Sequence, residues 1–174
     1  MTDPNFIYKP RTGGEMRYSL PPDSEIYLYT DLCKIPLPAH RIILSLAPNA
    51  VILIQNPHKM NSGHWIALAR HPETREIFHF NSYGGMPDRE KMRWIPPNQL
   101  FYSGQNRNII NDGLKELAHM GWTIHYNDYP FQVEGDKTAT CGIWASAFLN
   151  SGQNPDEFAE NHRNVGYYFR KYFQ

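Results

Sequence analysis

The stretch Asn61-Ser62-Gly63-His64-Trp65-Ile66-Ala67-Leu68-Ala69-Arg70, joined through His71-Pro72-Glu73-Thr74 to Arg75-Glu76-Ile77-Phe78-His79-Phe80-Asn81, decides the fold. Both runs, 64–70 and 75–81, alternate in polarity, the mark of strands whose successive side chains face opposite sides. Pairing them symmetrically about the four-residue connection sets His64 opposite Asn81. His64, Ile66, Leu68, Ile77 and His79 then share one face of a sheet, and Trp65, Ala67, Phe78 and Phe80 share the other. Opposed Cβ atoms lie about 5 Å apart, so an asparagine oxygen can accept from an imidazole N–H. The spacing predicts an oriented histidine, conditional on register, because Pro72 suits a type I turn that often carries a bulge.

Ahead of this hairpin, Ala50-Val51-Ile52-Leu53-Ile54-Gln55 is a continuous apolar run closed by Asn56 and Pro57, as expected of a strand buried on both faces. Three consecutive strands therefore make a sheet. Residues 1–25, with scattered Pro and Gly and no periodicity, read as an extended arm. Ile26, Leu28, Leu32 and Ile35 suggest a short helix stopped by Pro36, and a second short helix or turn precedes Pro48. Beyond the hairpin, Gly84 and Gly85 end the pairing, and Pro87 to Met92 reads as a polar surface helical turn. Asn108 to Met120 has helical spacing with Gly121 as its C-terminal cap, and Trp122 to Tyr126 alternates as a further strand. After a polar loop from Glu134 to Thr140, Cys141-Gly142-Ile143-Trp144-Ala145-Ser146-Ala147-Phe148-Leu149 is apolar around nearly its whole circumference, which puts this helix in the middle of the domain. Asn154 to Gln174 reads as one or two amphipathic helices. The fold class expected is α+β, one domain over 1–174, with a central mixed sheet packed on the buried helix that starts at Cys141.

Composition narrows the function. Lys plus Arg and Asp plus Glu are 17 each, a formal net charge of zero with no block of one sign, so capture of nucleic acid is not predicted. No signal-peptide pattern and no run of 18 apolar residues occurs, so the expectation is an intracellular protein without a membrane partner. The two cysteines, Cys33 and Cys141, form no C-x-x-C pair, which argues against a zinc site and a disulfide scaffold.

A cysteine in the first turn of a buried helix sits where unpaired N–H groups and the helix dipole favour the nucleophilic thiolate. Taken singly, Cys141 reads as a small core residue, His64 as structural, Asn81 as a strand-end turn former and Gln132 as a loop residue. The combination reads differently. Gly63-His64-Trp65, Phe80-Asn81-Ser82-Tyr83-Gly84, Gln132 and Ala139-Thr140-Cys141-Gly142 follow the order found in the cysteine proteases grouped with adenovirus endopeptidase and the SUMO-processing proteases: His-Trp on one strand, an acidic or amide residue on the next, a glutamine, then Cys-Gly opening the central helix. The chain resembles that family over roughly residues 50–150, and the viral, capsid-processing branch most.

The resemblance implies acyl transfer to Cys141, with His64 as base, Asn81 holding the imidazole, and Gln132 with the Cys141 backbone N–H meeting the oxyanion. Asn81 stands where the family usually has Asp or Glu. Gln132 lies nine residues before Cys141, a longer interval than usual; an ungapped alignment would put Glu134 there, but an ionised carboxylate repels an oxyanion, so Gln132 is kept and a loop insertion expected. Trp65 is implied as a substrate-binding roof that selects small residues before the cut. The expected substrate is a viral capsid polypeptide cut at Gly-rich sites, in the infected cell or the virion, with no cofactor. Alternatives are a ubiquitin-like-protein isopeptidase and an acyltransferase of related layout. Adenovirus endopeptidase is assisted by DNA and by a disulfide-linked peptide; the neutral charge gives no support for the first, and Cys33, the one candidate for the second, reads more readily as a packed thiol.

Overall fold

The computed structural model describes residues 19–132 and 140–162. Ser24–Leu28 (β1), Asn49–Asn56 (β2), Lys59–His71 (β3), Glu76–Asn81 (β4) and Thr123–Tyr126 (β5) form one five-stranded sheet in sequence order. β2–β3 and β3–β4 are antiparallel, whereas β1 runs parallel to β2 and β5 parallel to β4. The helices are Tyr29–Cys33 (α1), Ala39–Ser45 (α2), Arg89–Trp94 (α3), Pro97–Tyr102 (α4), Ile109–His119 (α5) and Cys141–Ser151 (α6), and residues 155–162 are also helical.

Alternation sorts the core into two layers. Ile52, Ile54, Ile66, Leu68 and Ile77 meet α1, α2, α4 and α5 on one face. Val51, Leu53, Trp65, Ala67, Phe78 and Phe80 meet α6, Phe131 and Phe158 on the other. The α+β class, the mixed sheet and the central helix opening at Cys141 are as the sequence predicts, and β2 is buried on both faces. Gly121 ends α5 as expected, at φ +93° with its N–H on Ala118 O at 3.1 Å.

Three expectations are corrected. Asn81 is directly opposite Ile66, not His64, because the turn is Pro72-Glu73-Thr74-Arg75 and the register moves by two residues. Arg75 adopts φ +54°, and tertiary contacts hold it there: its guanidinium donates to Met120 O at 2.7 Å and lies over the Trp122 ring, while its carbonyl accepts from Thr123 N–H. A shift of two keeps side-chain parity, so the face assignments survive. Secondly, Ser24–Leu28 is a strand rather than part of an arm and helix, with Ile26 and Leu28 on the α6 side and Tyr27 on the other. The rest of the arm, residues 1–18, most of the 134–140 loop and the chain after 162 lie outside the described residues.

Thirdly, the segment read as a polar surface turn is half inside: Asp88, Glu90 and Lys91 are buried, while Arg89 and Met92 stay exposed. Tyr29 Oη donates to Asp88 at 2.8 Å, Lys91 Nζ donates to Tyr29 Oη at 3.0 Å and to Arg107 O at 2.6 Å, and Asp88 accepts from Asn111 N–H at 2.8 Å. This network carries the charges of Asp88 and Lys91 inward, where pairing offsets their desolvation; Glu90, buried without a partner among the described residues, is instead pushed up to about 8. It seats α3 so that Trp94 reaches the end of the sheet.

Candidate active site

Gly63 sets the entry to the site. A Cβ built there would lie 1.8 Å from the Ile54 carbonyl oxygen, so only glycine lets β3 press this closely on β2. The next side chain, His64, is 1% exposed and points toward Ile54's layer of the core.

His64 Nε2 and Asn81 Oδ1 are 2.7 Å apart, a diagonal contact across β3 and β4 rather than a direct one. The pairing expected from the sequence is thus made, by a different register. Tyr83 N–H also donates to Asn81 Oδ1, at 3.0 Å. Two neighbours on one atom identify it as the amide oxygen, so Nε2 of His64 is the N–H. A neutral imidazole carries one proton, which leaves the lone pair on Nδ1. That atom is buried without a hydrogen-bond partner. Burial lowers the imidazole from 6.5 to about 4, the hydrogen bond to Asn81 opposing, so His64 is neutral at pH 7. Tyr83 stacks on its ring at 4.6 Å and Trp94 meets it edge-on at 4.8 Å.

Asn81 is itself clamped. Asn127 Oδ1 accepts from Asn81 N–H at 3.0 Å, and Asn127 Nδ2 donates to Asn81 O at 2.7 Å and to Tyr129 O at 3.0 Å. The sequence does not single out Asn127 or Trp94, and it shows Tyr83 only as part of the stretch 80–84 without a role; an asparagine directly after the strand 122–126 is the one hint of the clamp.

Gln132 is buried, and Ser82, the residue after Asn81, holds it twice: Ser82 Oγ donates to Gln132 Oε1 at 2.9 Å and Ser82 O accepts from Gln132 N–H at 2.9 Å. The engaged oxygen makes Nε2 the donor end of the amide turned away from Ser82. Phe131 beside it packs against Trp144 of α6, one turn beyond Cys141. Gln132 therefore joins the end of β4 to the start of α6.

Cys141 is 7% exposed at the first position of α6. Its sulfur accepts from the backbone N–H of Trp65, and the N–H groups at the helix start, Cys141 and Gly142, also favour the thiolate. Burial nevertheless dominates and pushes the thiol above 9.0, which corrects the expectation of a thiolate favoured by the helix terminus. At pH 7 the Cys141 thiol and the His64 imidazole are both neutral; Cys141 packs in the α6 layer, whereas His64 points toward the layer of Ile54. Trp65 is 3% exposed and packs in the α6 layer with Cys141. The aromatic rings at His64 are Tyr83 and Trp94. Glu134 lies outside the described residues.

His79 shares the face of His64, as alternation predicts, and is fully buried with neither ring nitrogen hydrogen-bonded. Burial, with His64 nearby, lowers it from 6.5 to about 3. Below 6.5 the unfolded chain binds protons that the folded His64 and His79 refuse until about pH 4 and 3, so stability present above 6.5 falls as pH drops through that window. At pH 5 the loss is about 2 kcal/mol per imidazole. Buried Glu90, held up at about 8, works the other way over the same range, so the imidazole share is read as a difference: between pH 7.5 and 5 the urea-derived stability of His79→Leu should fall about 2 kcal/mol less than that of wild type, and an equal change in both overturns the assignment.

Among the described residues no helix is long and apolar enough to cross a membrane. No family model matches the chain, and no solved structure matches it. The chain is similar to a viral protein, Uncharacterized protein V9 of Sputnik virophage, with 32% identity over 121 residues that make up 70% of this chain. The match spans 64% of that relative's length.

Proposed function

We propose that this chain is a cysteine endopeptidase in which His64 Nδ1 takes the Cys141 proton, Asn81 holds the imidazole, and Gln132 with the Cys141 backbone N–H stabilises the oxyanion. The observation that carries the reading is the doubly anchored Asn81 oxygen, which fixes His64 as the Nε2–H tautomer and leaves Nδ1 as the base. With both groups neutral at rest, His64 acts as a general base during attack, not as half of a standing ion pair. The sulfur, now held by Trp65 N–H, must turn toward Nδ1 when substrate enters. The thiolate attacks the carbonyl carbon, His64 returns its proton to the leaving amine, and water hydrolyses the thioester. An asparagine oxygen orients the ring without the full charge of a carboxylate. The substrate proposed is a viral structural polypeptide cut after small residues in the infected cell or the virion; similarity to a virophage protein supports the viral setting.

The test uses the second cysteine as an internal control. Cys33 is partly exposed and Cys141 buried, so accessibility alone favours labelling at Cys33. A peptidyl chloromethyl ketone ending in Gly-Gly should instead alkylate Cys141, since only a site that binds the peptide and activates the thiol reverses that order. Peptide mapping that finds the adduct at Cys33, or at neither, sinks the reading.

A further inference from the structure

A cleft of about 470 Å³ opens beside His64 at the end of the sheet, between the β2–β3 connection and the α3–α4 segment. Its walls include Ile54, Asn56, Pro57, Trp94, Ile95 and Gln99, and Gly63 forms part of the floor. We infer that this cleft is the subsite for the side chain of a residue just after the scissile bond, and that it selects an uncharged one. The inference rests on the protease reading above.

Position gives the direction. The Cys141 sulfur accepts from Trp65 N–H and belongs to the α6 layer, whereas Ile54 and Ile95 belong to the opposite layer. Gly63 and Trp94 flank His64 on the cleft side: one precedes it in β3, the other contacts its ring. His64 and the cleft thus share one side of the sheet, and the sulfur belongs to the other. A base that returns its proton to the leaving nitrogen must stand on the leaving-group side of the nucleophile. Chain that continues past the imidazole is therefore chain after the cut.

Chemistry gives the preference. The volume is in the range of about 300–1,000 Å³ found for ligand clefts. Its described lining has no side chain of fixed charge; amides and apolar groups dominate, with His58 at the rim. A buried ammonium or carboxylate would lack a counter-ion there. Nor is the floor an open strand edge: Gln105 Oε1 accepts from Gln55 N–H at 2.9 Å and Gln105 Nε2 donates to Gln55 O at 3.0 Å, so the main chain is already paired. The cleft takes a side chain, not an added strand. A need for specific residues after the cut also separates a linear-chain endopeptidase from an isopeptidase, whose leaving group is a lysine side chain.

The probe is a set of internally quenched peptides with Gly-Gly before the cut and Ala, Leu, Gln, Asp or Lys at each of the first three positions after it. Wild-type protein should prefer Leu and Gln over Asp and Lys by about tenfold in kcat/KM at one of those positions. Gln99→Arg should raise the Asp-to-Leu ratio at that same position by about tenfold, with no change of preference elsewhere. Cleavage with equal preference at all three positions, or a Gln99→Arg profile identical to wild type, overturns the subsite and leaves the protease intact. No cleavage of any peptide by wild type overturns both.

Discussion

Cys141→Ala is expected to lower peptide cleavage by about 10⁴-fold or more while the protein folds as before. The size follows from the role: without the sulfur no acyl-enzyme forms, and what remains is binding and oxyanion stabilisation alone. The fold should tolerate it because α6 keeps its apolar faces through Trp144, Ala145, Phe148 and Leu149. Losing one buried sulfur costs about 1 kcal/mol or less. Thermal melts and cleavage rates on the same preparation check both halves. Retained proteolysis places the nucleophile elsewhere, and loss of folding together with activity makes Cys141 a packing residue.

Gly63→Ala carries the largest expected effect on stability, about 3 kcal/mol or more. The atoms a Cβ would meet at 1.8 and 2.8 Å are the carbonyl oxygen and carbon of Ile54, backbone of the neighbouring strand, so no side-chain rotation relieves the clash. β2 and β3 must separate where Gln55 pairs with Gly63. His64 is the next residue, so the imidazole moves off Asn81 even in molecules that stay folded. The urea midpoint should drop, and the fraction that remains native should alkylate Cys141 more slowly than wild type does. A variant as stable as wild type contradicts this close approach of β2 and β3.

Much of this was legible because strand alternation is robust. A register shift of two residues leaves every side chain of the His64–Asn81 hairpin on its proper face, and a diagonal contact replaces the direct one. The true turn was not legible: Arg75 adopts a left-handed conformation because of contacts with Met120 and Trp122 that lie far off in sequence. For the same reason Asp88 and Lys91 looked like surface charges, their partners Tyr29, Arg107 and Asn111 being brought in by the fold. β1 was hidden because five residues with both hydrophobic spacings cannot choose a period without a neighbouring strand. At the site, the order of His64, Asn81, Gln132 and Cys141 could be read directly. The Asn127 clamp, the ring contacts of Tyr83 and Trp94, and the burial that keeps the Cys141 thiol protonated arise only from packing.

Asn81 and Ser82 are consecutive, yet one holds the imidazole and the other holds Gln132. In the proposed site, the base and the oxyanion donor are thus mounted on neighbouring links of one chain. Their separation is set chiefly by covalent geometry rather than by the adjustment of two independent loops. A movement at the end of β4 would carry both groups together, so partial misalignment should be rare and loss of alignment concerted. Changes in the Gly84–Gly85 turn should therefore switch activity on or off as a unit instead of trading base strength against oxyanion stabilisation.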